Sequence, residues 1–272
     1  RDPDHSLVGS EMCIRDSLMT GARLALGIDV GGTGIKGAIV DLETGTLVTE
    51  RRRVPTPQPA TPSAVAEAVA EVARSADFTG PVGIDFPGVV LDGVVRTAAN
   101  VDDSWIGTRL PDVVGSRLPG PSVYLNDADA AGLAEVTYGA GRGRLGTIVV
   151  VTFGTGIGTA LIHDGRLVPN AELGHIEIDG ADAEHAAAAS AREREGLSWD
   201  EWAGRASRYL RTLEALVWPS LFILGGGISR KPDKWVPQLQ TRTPLVMAEL
   251  VNNAGIVGAA LAAERAAGMT AT

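Results

Sequence analysis

Apolar residues in the first part of the chain form short runs separated by glycine-rich turns. Two such runs, residues 24–28 and 35–40, flank the sequence Asp-Val-Gly-Gly-Thr at 29–33. Both have strand length and β-branched content, so the pattern predicts a β-hairpin with a glycine-rich tip. Glycine allows close approach to the backbone, and successive backbone N–H groups form a concavity that suits phosphate. The alternative interpretation is an ordinary tight hairpin.

The same pattern recurs in the second half of the chain, over residues 148–162. There, Gly-Thr-Gly-Ile at 154–157 matches Gly-Thr-Gly-Ile at 32–35, and the apolar runs on either side fall in the same register. A repeat of this kind indicates a duplicated domain. It predicts two phosphate-binding hairpins that face one cleft.

The remaining pattern predicts further strands and helices in a similar order in the two halves. After a proline-rich connector, Val65, Val69 and Val72 have helical spacing and predict a helix over 63–76. Strands are predicted at 46–54, 81–86, 122–125, 220–224 and 244–248, and helices at 108–118, about 128–138, within 182–216 and at about 253–267. We therefore predict a small α/β domain over 19–124, joined by the C-terminal helix 252–272, and a large α/β domain over 125–251.

Composition favours a soluble enzyme rather than a membrane or nucleic-acid-binding protein. The chain has 272 residues, of which 44% are hydrophobic, enough for a sizeable core. It has no apolar run near the roughly 20 residues needed to span a bilayer. The net charge of −9 argues against general nucleic-acid binding, although a local basic groove is compatible with it.

Residues 1–18 do not fit the pattern that follows them. They carry Cys13, the only cysteine of the chain, and have neither periodicity nor the apolar segment of a secretory signal. We expect this stretch to be a non-native extension, with Met19 as the start. The rest of the chain would then have no disulfide and no thiolate metal site, which favours a reducing cytoplasm.

Four motifs in order resemble those of the ROK family of sugar kinases: Asp-Val-Gly-Gly-Thr (29–33), Gly-Thr-Gly-Ile-Gly (154–158), Glu-Leu-Gly-His (172–175) and Leu-Gly-Gly-Gly-Ile-Ser (224–229). Longer stretches at 172–180, 190–195, 197–203 and 252–260 are similar to the polyphosphate glucokinase branch of that family. The resemblance covers roughly residues 23–262. It implies an actin-like, duplicated ribonuclease-H-like α/β fold with a central cleft, in which the last helix packs back on the first domain.

Asp127 is the candidate general base. Phosphoryl transfer to a sugar needs bound phosphates, a hydroxyl group aimed in line and a proton acceptor. Asp127 follows a predicted strand at the seam between the halves, where α/β folds place catalytic groups, and Asn126-Asp127 matches the catalytic pair of the family. The alternative is that Asp127 caps the following helix. Nearby Asp129 is expected to face solvent.

The resemblance also implies the sugar contacts, which are Asn100, Asn126, Asp127, Glu172 and His175. Glu172 and His175 are three residues apart, so a helical turn or tight loop would place both on one side. Most ROK proteins follow this histidine with a cysteine cluster that binds zinc, which this sequence lacks. We therefore expect no zinc on His175, and we propose Glu184 as the next sugar carboxylate.

The donor contacts follow from the same resemblance. The phosphate- and nucleotide-binding positions are Asp29, Gly31, Gly32, Thr33, Lys36, Gly154, Thr155, Gly156, Gly225, Gly226 and Gly227. The triple glycine resembles the adenosine motif of the family, although it could be a simple turn. Arg230, Lys231 and Lys234 follow it and are a candidate track for a long polyanion; the alternative is a solvated helix start.

These expectations lead to a sugar kinase that phosphorylates glucose, and mannose as a further candidate, at the 6-hydroxyl with polyphosphate or ATP as donor and Mg²⁺ as cofactor. A cytoplasmic homodimer is expected, without nucleic-acid or membrane partners. The alternatives are an ATP-only kinase for another hexose or an acylated hexosamine, a sugar-responsive ROK repressor and an actin-like assembly protein. A repressor needs a helix-turn-helix before the first hairpin, where only 22 residues precede Arg23. Asn126-Asp127 and Glu172-His175 argue against an assembly protein.

Overall fold

The computed structural model describes residues 23–99 and 101–270, with side chains to residue 267. The expected extension at 1–18 and the proposed sugar contact Asn100 lie outside the described residues. Within the described ranges, no helix combines the length and apolar character that crossing a membrane requires.

The first half of the chain forms a six-stranded sheet with the order β3-β2-β1-β5-β8, and β4 pairs with β2. Its elements are β1 (Leu24–Val30), β2 (Gly34–Asp41), β3 (Thr46–Leu47), β4 (Arg52–Pro55), α1 (Pro62–Ser75), β5 (Val82–Phe86), the small hairpin β6 (Val90–Leu91) and β7 (Val94–Val95), α2 (Leu110–Val113) and β8 (Ser122–Asn126), with 3₁₀ turns at Asp103–Trp105 and Gly115–Arg117. Strands β1, β5 and β8 are parallel, so their carboxyl ends meet at one edge of the sheet.

The second half repeats this plan in a five-stranded sheet with the order β11-β10-β9-β14-β15. Its elements are α3 (Asp127–Thr137), β9 (Thr147–Phe153), β10 (Ile157–His163), β11 (Arg166–Val168), β12 (Glu177–Ile178), β13 (Ala181–Asp182), α4 (Ala183–Ala187), α5 (Ala189–Glu195), α6 (Trp199–Val217), β14 (Leu221–Gly225), β15 (Leu245–Met247) and α7 (Ala254–Thr270), with 3₁₀ turns at Leu173–His175, Gly227–Arg230, Pro232–Lys234, Val236–Gln238 and Val251–Asn253. In each half an antiparallel hairpin is followed by a strand parallel to its first member. The predicted duplication is confirmed.

Three predicted elements are interrupted in the structure. The strand predicted at 46–54 is divided into β3 and β4 where the Thr49 hydroxyl accepts the backbone N–H of Ile39 at 3.1 Å, in place of a ladder bond. The helix predicted at 108–118 is reduced to α2 and a 3₁₀ turn. The helical block within 182–216 forms three helices, because Ala188 is extended and Gly196 is left-handed, with φ of 65°.

The core of the second half is built around aromatic side chains beneath α6. This helix begins with a capping box between Ser198 and Glu201, which satisfies backbone N–H groups at its start. The buried rings of Trp202 and Trp235 meet edge to face at a centroid distance of 5.3 Å, and Phe153 packs against Trp202 at 5.3 Å. This packing fixes the end of β9, from which the second glycine hairpin projects.

Helix α7 packs on the first sheet, as the family resemblance implies, and the contact is backbone against backbone. A Cβ atom at Gly27 in β1 would overlap the carbonyl of Ile256, and one at Gly83 in β5 would overlap the carbonyl of Ala259. On its other side, a Cβ at Gly258 would overlap the carbonyl of Ala130 in α3. Helix α7 therefore contacts the first sheet and the helix that begins the second half.

We expect Gly83→Ala to lower the free energy of unfolding by about 1–3 kcal/mol, the usual cost of forcing extra volume into a packed core. The measurement is reversible chemical denaturation followed by far-ultraviolet circular dichroism. Gly204→Ala is the matched control, because Gly204 is exposed within α6 and a Cβ there meets nothing within 4 Å. That variant should gain about 1 kcal/mol from helix propensity. Equal stability of the two variants would contradict the packing.

Candidate active site

A cavity of about 540 Å³ lies between the two halves, at the carboxyl ends of the parallel strands. It is called the sugar cavity here, after the predicted sugar contacts in its lining. The first half contributes a wall at residues 87–99, and the second contributes the start of α3, the second glycine hairpin and the segment that leads from β11 to α4. Its lining includes Gly88, Thr97, Ala98, Asn126, Asp127, Thr155, Gly156, Glu172, His175 and Glu184. Five of the predicted sugar residues therefore surround one space.

Asp127 lies at the first position of α3, directly after β8. The cap of this helix is its neighbour Asn126, whose side-chain oxygen accepts the N–H of Asp129 at 3.0 Å. The Asp127 carboxylate accepts only the N–H of Ala128, at 2.8 Å, among the hydrogen bonds of the described residues, and its side chain is open to the water of the cleft. It is therefore accessible to a substrate.

The surrounding cleft raises the pKa of Asp127 to about 7. The largest cause is displacement of water from around the carboxylate by the protein, and the charges of Asp29 and Glu172 act in the same direction. The N–H of Ala128 opposes the shift. A carboxylate that exchanges its proton near neutral pH is suited to general-base catalysis.

Asp85 is a buried carboxylate behind the site that sequence reasoning missed. It is paired in register with Asp29 of β1, and its side chain is fully buried. One oxygen accepts the N–H of Val30 at 3.1 Å, while the other has no partner among the described residues. Burial, followed by the charges of Asp29 and Asp127, raises its pKa well above the usual value. An aspartate inside the apolar strand 82–86 was the available signal.

Asp129 does not face solvent, so this expectation was wrong. Its side chain is fully buried, and one carboxylate oxygen accepts the N–H of Asn170 at 2.7 Å. Burial raises the pKa of Asp129 to about 7, with Glu172 and Asp127 adding to the shift. The N-cap geometry explains the orientation, because Asn126 fixes the turn in which Asp129 lies.

Glu172 and His175 lie on the two ends of one 3₁₀ turn and face the cavity together. The Asn126 amide donates to Glu172 Oε1 at 3.3 Å. His175 Nε2 lies 3.8 Å from Glu172 Oε2, and His175 Nδ1 lies 2.9 Å from Asp182 Oδ2. The hydrogen bond to Asp182 is the main reason that the pKa of His175 is raised. The cluster offers both donors and acceptors to a polyhydroxyl ligand.

Glu184 lies in the cavity as well, at the beginning of α4. Its Oε2 accepts the backbone N–H of Ile157, at 2.7 Å, from the second glycine hairpin. A Cβ at Gly156 would overlap the Glu184 carboxylate, so a side chain at this position would displace Glu184 from the hairpin. Glu184 therefore connects the sugar cavity to the second hairpin.

The two glycine turns are held by different contacts. In the first, the N–H of Gly31 donates to the carbonyl of Gly34 at 3.2 Å, and the Arg53 guanidinium donates to the carbonyl of Thr33 at 3.1 Å. Asp29 pairs with Lys36 at 2.9 Å. Residues 29–36 of the first hairpin do not line the sugar cavity, and they do not line the donor cavity described next.

A second cavity of about 560 Å³, here called the donor cavity, lies on the other side of the second hairpin. Gly154 and Thr155 line both cavities. Gly226 has φ of 86°, and a Cβ at Gly154 or Gly227 would meet open space. The triple-glycine turn, which begins at Gly225 at the end of β14, therefore leaves room for a ligand next to the second hairpin.

Basic side chains form part of the lining of the donor cavity. Arg230 and Lys231 line it, whereas Lys234, in the following 3₁₀ turn, does not. Arg192 lines it too, with its guanidinium carbon 3.8 Å from the centre of the Trp199 ring. The nearby Arg194 is instead bonded to Glu195 at 2.8 Å.

The described residues contain no group of three or more histidine, cysteine, aspartate or glutamate side chains arranged to hold a metal ion. Mg²⁺ in phosphoryl-transfer enzymes is often bound by one or two carboxylates together with substrate phosphates and water. Asp29, whose charge acts on Asp127, is the carboxylate that would hold such an ion together with donor phosphates.

Comparisons with known proteins agree with this geometry. The model of the ROK family matches residues 25–196. A polyphosphate glucokinase of Mycobacterium tuberculosis (strain CDC 1551 / Oshkosh) is 57% identical over 244 residues, which cover 89% of this chain and 92% of that protein. The crystal structure of an inorganic polyphosphate/ATP-glucomannokinase from Arthrobacter sp. strain KM is 57% identical, with a TM-score of 0.85 over 89% of this chain and 99% of that one.

A more distant solved structure also has the same fold. A ROK family glucokinase from Streptomyces griseus, in complex with glucose and AMPPNP, is 28% identical, with a TM-score of 0.74 over 89% of this chain and 100% of that one. The expected actin-like two-domain sugar kinase fold is thus confirmed. The matched motifs, the cleft and these relatives together establish that this chain belongs to the ROK family.

Proposed function

We propose that this protein phosphorylates glucose, with mannose as a further substrate, at the 6-hydroxyl, using inorganic polyphosphate and also ATP as donor. The observation that carries the proposal is the position of Asp127. It lies in a polar cavity suited to a sugar, and the second glycine hairpin joins this cavity to the donor cavity. The lining of the donor cavity includes Arg192, Arg230 and Lys231, which together are called the basic rim. Polyphosphate glucokinases 57% identical to this chain support the choice of substrates.

The reaction requires a proton acceptor and a fixed direction of attack. Asp127 accepts the proton of the sugar hydroxyl group. At the same time, the oxygen of that hydroxyl group forms a bond to the terminal phosphorus of the donor. The bond from that phosphorus to the bridging oxygen breaks, and the shortened donor leaves. Glu172, His175, Asn126 and Glu184 hold the other hydroxyl groups, so only the reactive one faces the donor.

Asn100 remains a proposed sugar contact; in the sequence it directly follows Ala99, which lines the sugar cavity. The metal proposed is Mg²⁺, which the donor phosphates would carry and the Asp29 carboxylate would help to hold; when bound, it would neutralise phosphate charge during transfer. The division into small and large domains, the homodimer and the cytoplasmic location also remain proposals.

The direct test offers purified protein glucose with polyphosphate or with ATP as sole donor and measures glucose 6-phosphate. Product with both donors is expected. Product with ATP alone would favour the ATP-only reading, and no product with either donor would refute the kinase proposal. Parallel reactions with mannose and N-acetylglucosamine define the acceptor.

Asp127→Asn should lower kcat by about 10²–10⁴, the usual contribution of general-base catalysis, because the amide cannot accept the proton. Equilibrium binding of glucose should survive within a few-fold. The parent's kcat/KM should fall as the pH drops below about 7, because the protonated carboxyl is then the major form. A variant with near-parental turnover would overturn the assignment of Asp127.

His175 is expected to bind sugar without zinc, since no cysteine cluster follows it and Asp182 holds its Nδ1. Purified protein should contain no stoichiometric zinc by plasma mass spectrometry. His175→Ala should raise the KM for glucose and leave the metal content unchanged. One tightly bound zinc per chain, lost in His175→Ala, would reverse this view.

The basic rim should serve long donors more than short ones. We expect the double variant Lys231→Gln, Lys234→Gln to raise the KM for long polyphosphate, most strongly at low salt, and to change the KM for ATP much less. Because Lys231 lines the donor cavity and Lys234 does not, Lys231→Gln alone should account for most of the effect.

The matched control is Arg142→Gln, Arg144→Gln, which removes two exposed charges that line neither cavity. If the lysine double variant and this control both behave like the parent, the polyphosphate track does not pass these lysines. Arg192, stacked on Trp199 at the same cavity, would then be the residue to change.

A further inference from the structure

One wall of the sugar cavity is a segment whose residues are joined to one another by hydrogen bonds. In this wall, here called the 87–99 loop, the N–H of Arg96 donates to the carbonyl of Val89 at 2.8 Å, and the N–H of Val89 donates to the Thr97 hydroxyl at 2.9 Å. Thr97 and Ala98 face the cavity. Because of these internal bonds, a contact that holds one part of the loop positions the side that meets the ligand.

Asn170 in the second half holds this loop with both ends of its side-chain amide. The N–H of Val90 donates to Asn170 Oδ1 at 3.0 Å, and Asn170 Nδ2 donates to the carbonyl of Val90 at 3.1 Å. The amide therefore pairs with a backbone residue as a neighbouring strand would. Asn170 precedes Glu172 and His175 on the same segment, so the two bonds join opposite walls of the sugar cavity.

Asp129 fixes the backbone of Asn170. Asn170 has φ of 57°, in the left-handed region, and its N–H donates to Asp129 Oδ2 at 2.7 Å. The Asp129 carboxylate is fully buried, and its other oxygen has no partner among the described residues. One hydrogen bond offsets only part of the cost of burying a carboxylate. This arrangement suits a positioning role better than a stabilising one.

We propose that Asn170 is a clamp that sets the width of the sugar cavity by holding the 87–99 loop against the wall that carries Glu172 and His175, and that Asp129 is a positioning residue that acts through Asn170. As a statement about sugar binding, this rests on the function proposed above. Neither Asp129 nor Asn170 lines the sugar cavity or the donor cavity. Loss of the clamp should therefore weaken sugar binding while leaving donor binding and the chemical step largely intact.

Asn170→Gly is the main variant. Glycine adopts φ of 57° without strain and keeps the N–H that Asp129 accepts, so the change removes only the amide. We expect the KM for glucose to rise about tenfold, the result of losing two neutral hydrogen bonds of modest net strength. The kcat and the KM for polyphosphate should change less than about threefold. An unchanged KM for glucose, or a lower kcat at unchanged KM, would overturn the clamp.

Asp92→Gly is the matched control. Asp92 also has a left-handed backbone, with φ of 51°, and lies at the exposed tip of the same loop, away from Val90's bonds to Asn170. This variant tests whether added flexibility in the loop is by itself enough to raise the KM for glucose. Parental kinetics are expected for this variant, and a tenfold rise in the KM for glucose would show that loop flexibility, not the clamp, matters.

Asp129→Asn tests the positioning role with a side chain of the same shape. The amide oxygen can still accept the N–H of Asn170, so we expect a rise of about threefold in the KM for glucose with kcat preserved. If Asp129 acts through Asn170, the double variant with Asn170→Gly should be no weaker than Asn170→Gly alone. Effects that multiply would overturn the proposed dependence of one residue on the other.

Amide hydrogen exchange measures the contact between Asn170 and Val90 in the absence of any substrate. The N–H of Val90 should be protected in the parent and exchange at least tenfold faster in Asn170→Gly, at an unchanged melting temperature. Equal protection in the two proteins would overturn the clamp even if the parent is an active glucokinase. If Val90 exchanges faster in Asn170→Gly than in the parent, but the parent phosphorylates no glucose, the proposed function is refuted and the contact itself is established.

Discussion

The architecture depends on the close approach of helix α7 to its neighbours. At Gly27 and Gly83 the helix backbone lies where a side chain would otherwise be, and at Gly258 the helix α3 backbone lies equally close. Helix α3 carries Asn126 at its cap and Asp127 at its first position. Since α7 contacts both the first sheet and α3, it fixes Asp127, the proposed general base, relative to the strands that carry Asp29 and Asp85.

Negative charge is concentrated where a polyanion must react. Asp29, Asp85 and Asp127 interact. Burial raises the pKa of Asp85, and displacement of water by the surrounding cleft raises the pKa of Asp127. Lys36 neutralises Asp29 through a contact of 2.9 Å. The cleft therefore holds fewer charges near neutral pH than its composition suggests, and Asp127 stays close to the point at which it exchanges a proton. The positively charged side chains lie farther out, around the donor cavity.

Sequence patterns predicted the parts of this molecule that depend on local chemistry. The two glycine hairpins, the strand before Asp127 and the last helix all follow from periodicity and turn residues. Long-range partners were not predictable in this way. The buried Asp129 is bonded to Asn170, which is 41 residues away, and the contact of Asn170 with Val90 joins residues that are 80 positions apart. The breaks at Thr49 and Ala188 likewise depend on bonds and backbone angles that carry no strong local signal.

The packing of α7 has a consequence for how the chain reaches its folded state. The glycine-lined face of β1 and β5 is covered by residues 254–270, which leave the ribosome after the whole second half. Until then the first sheet has an uncovered apolar face that includes Ala25 and Val40. Assembly of the first half therefore waits on a contact of very large sequence separation, which slows folding and prolongs exposure to aggregation. During synthesis, the second half can form its own core before the first half is finished.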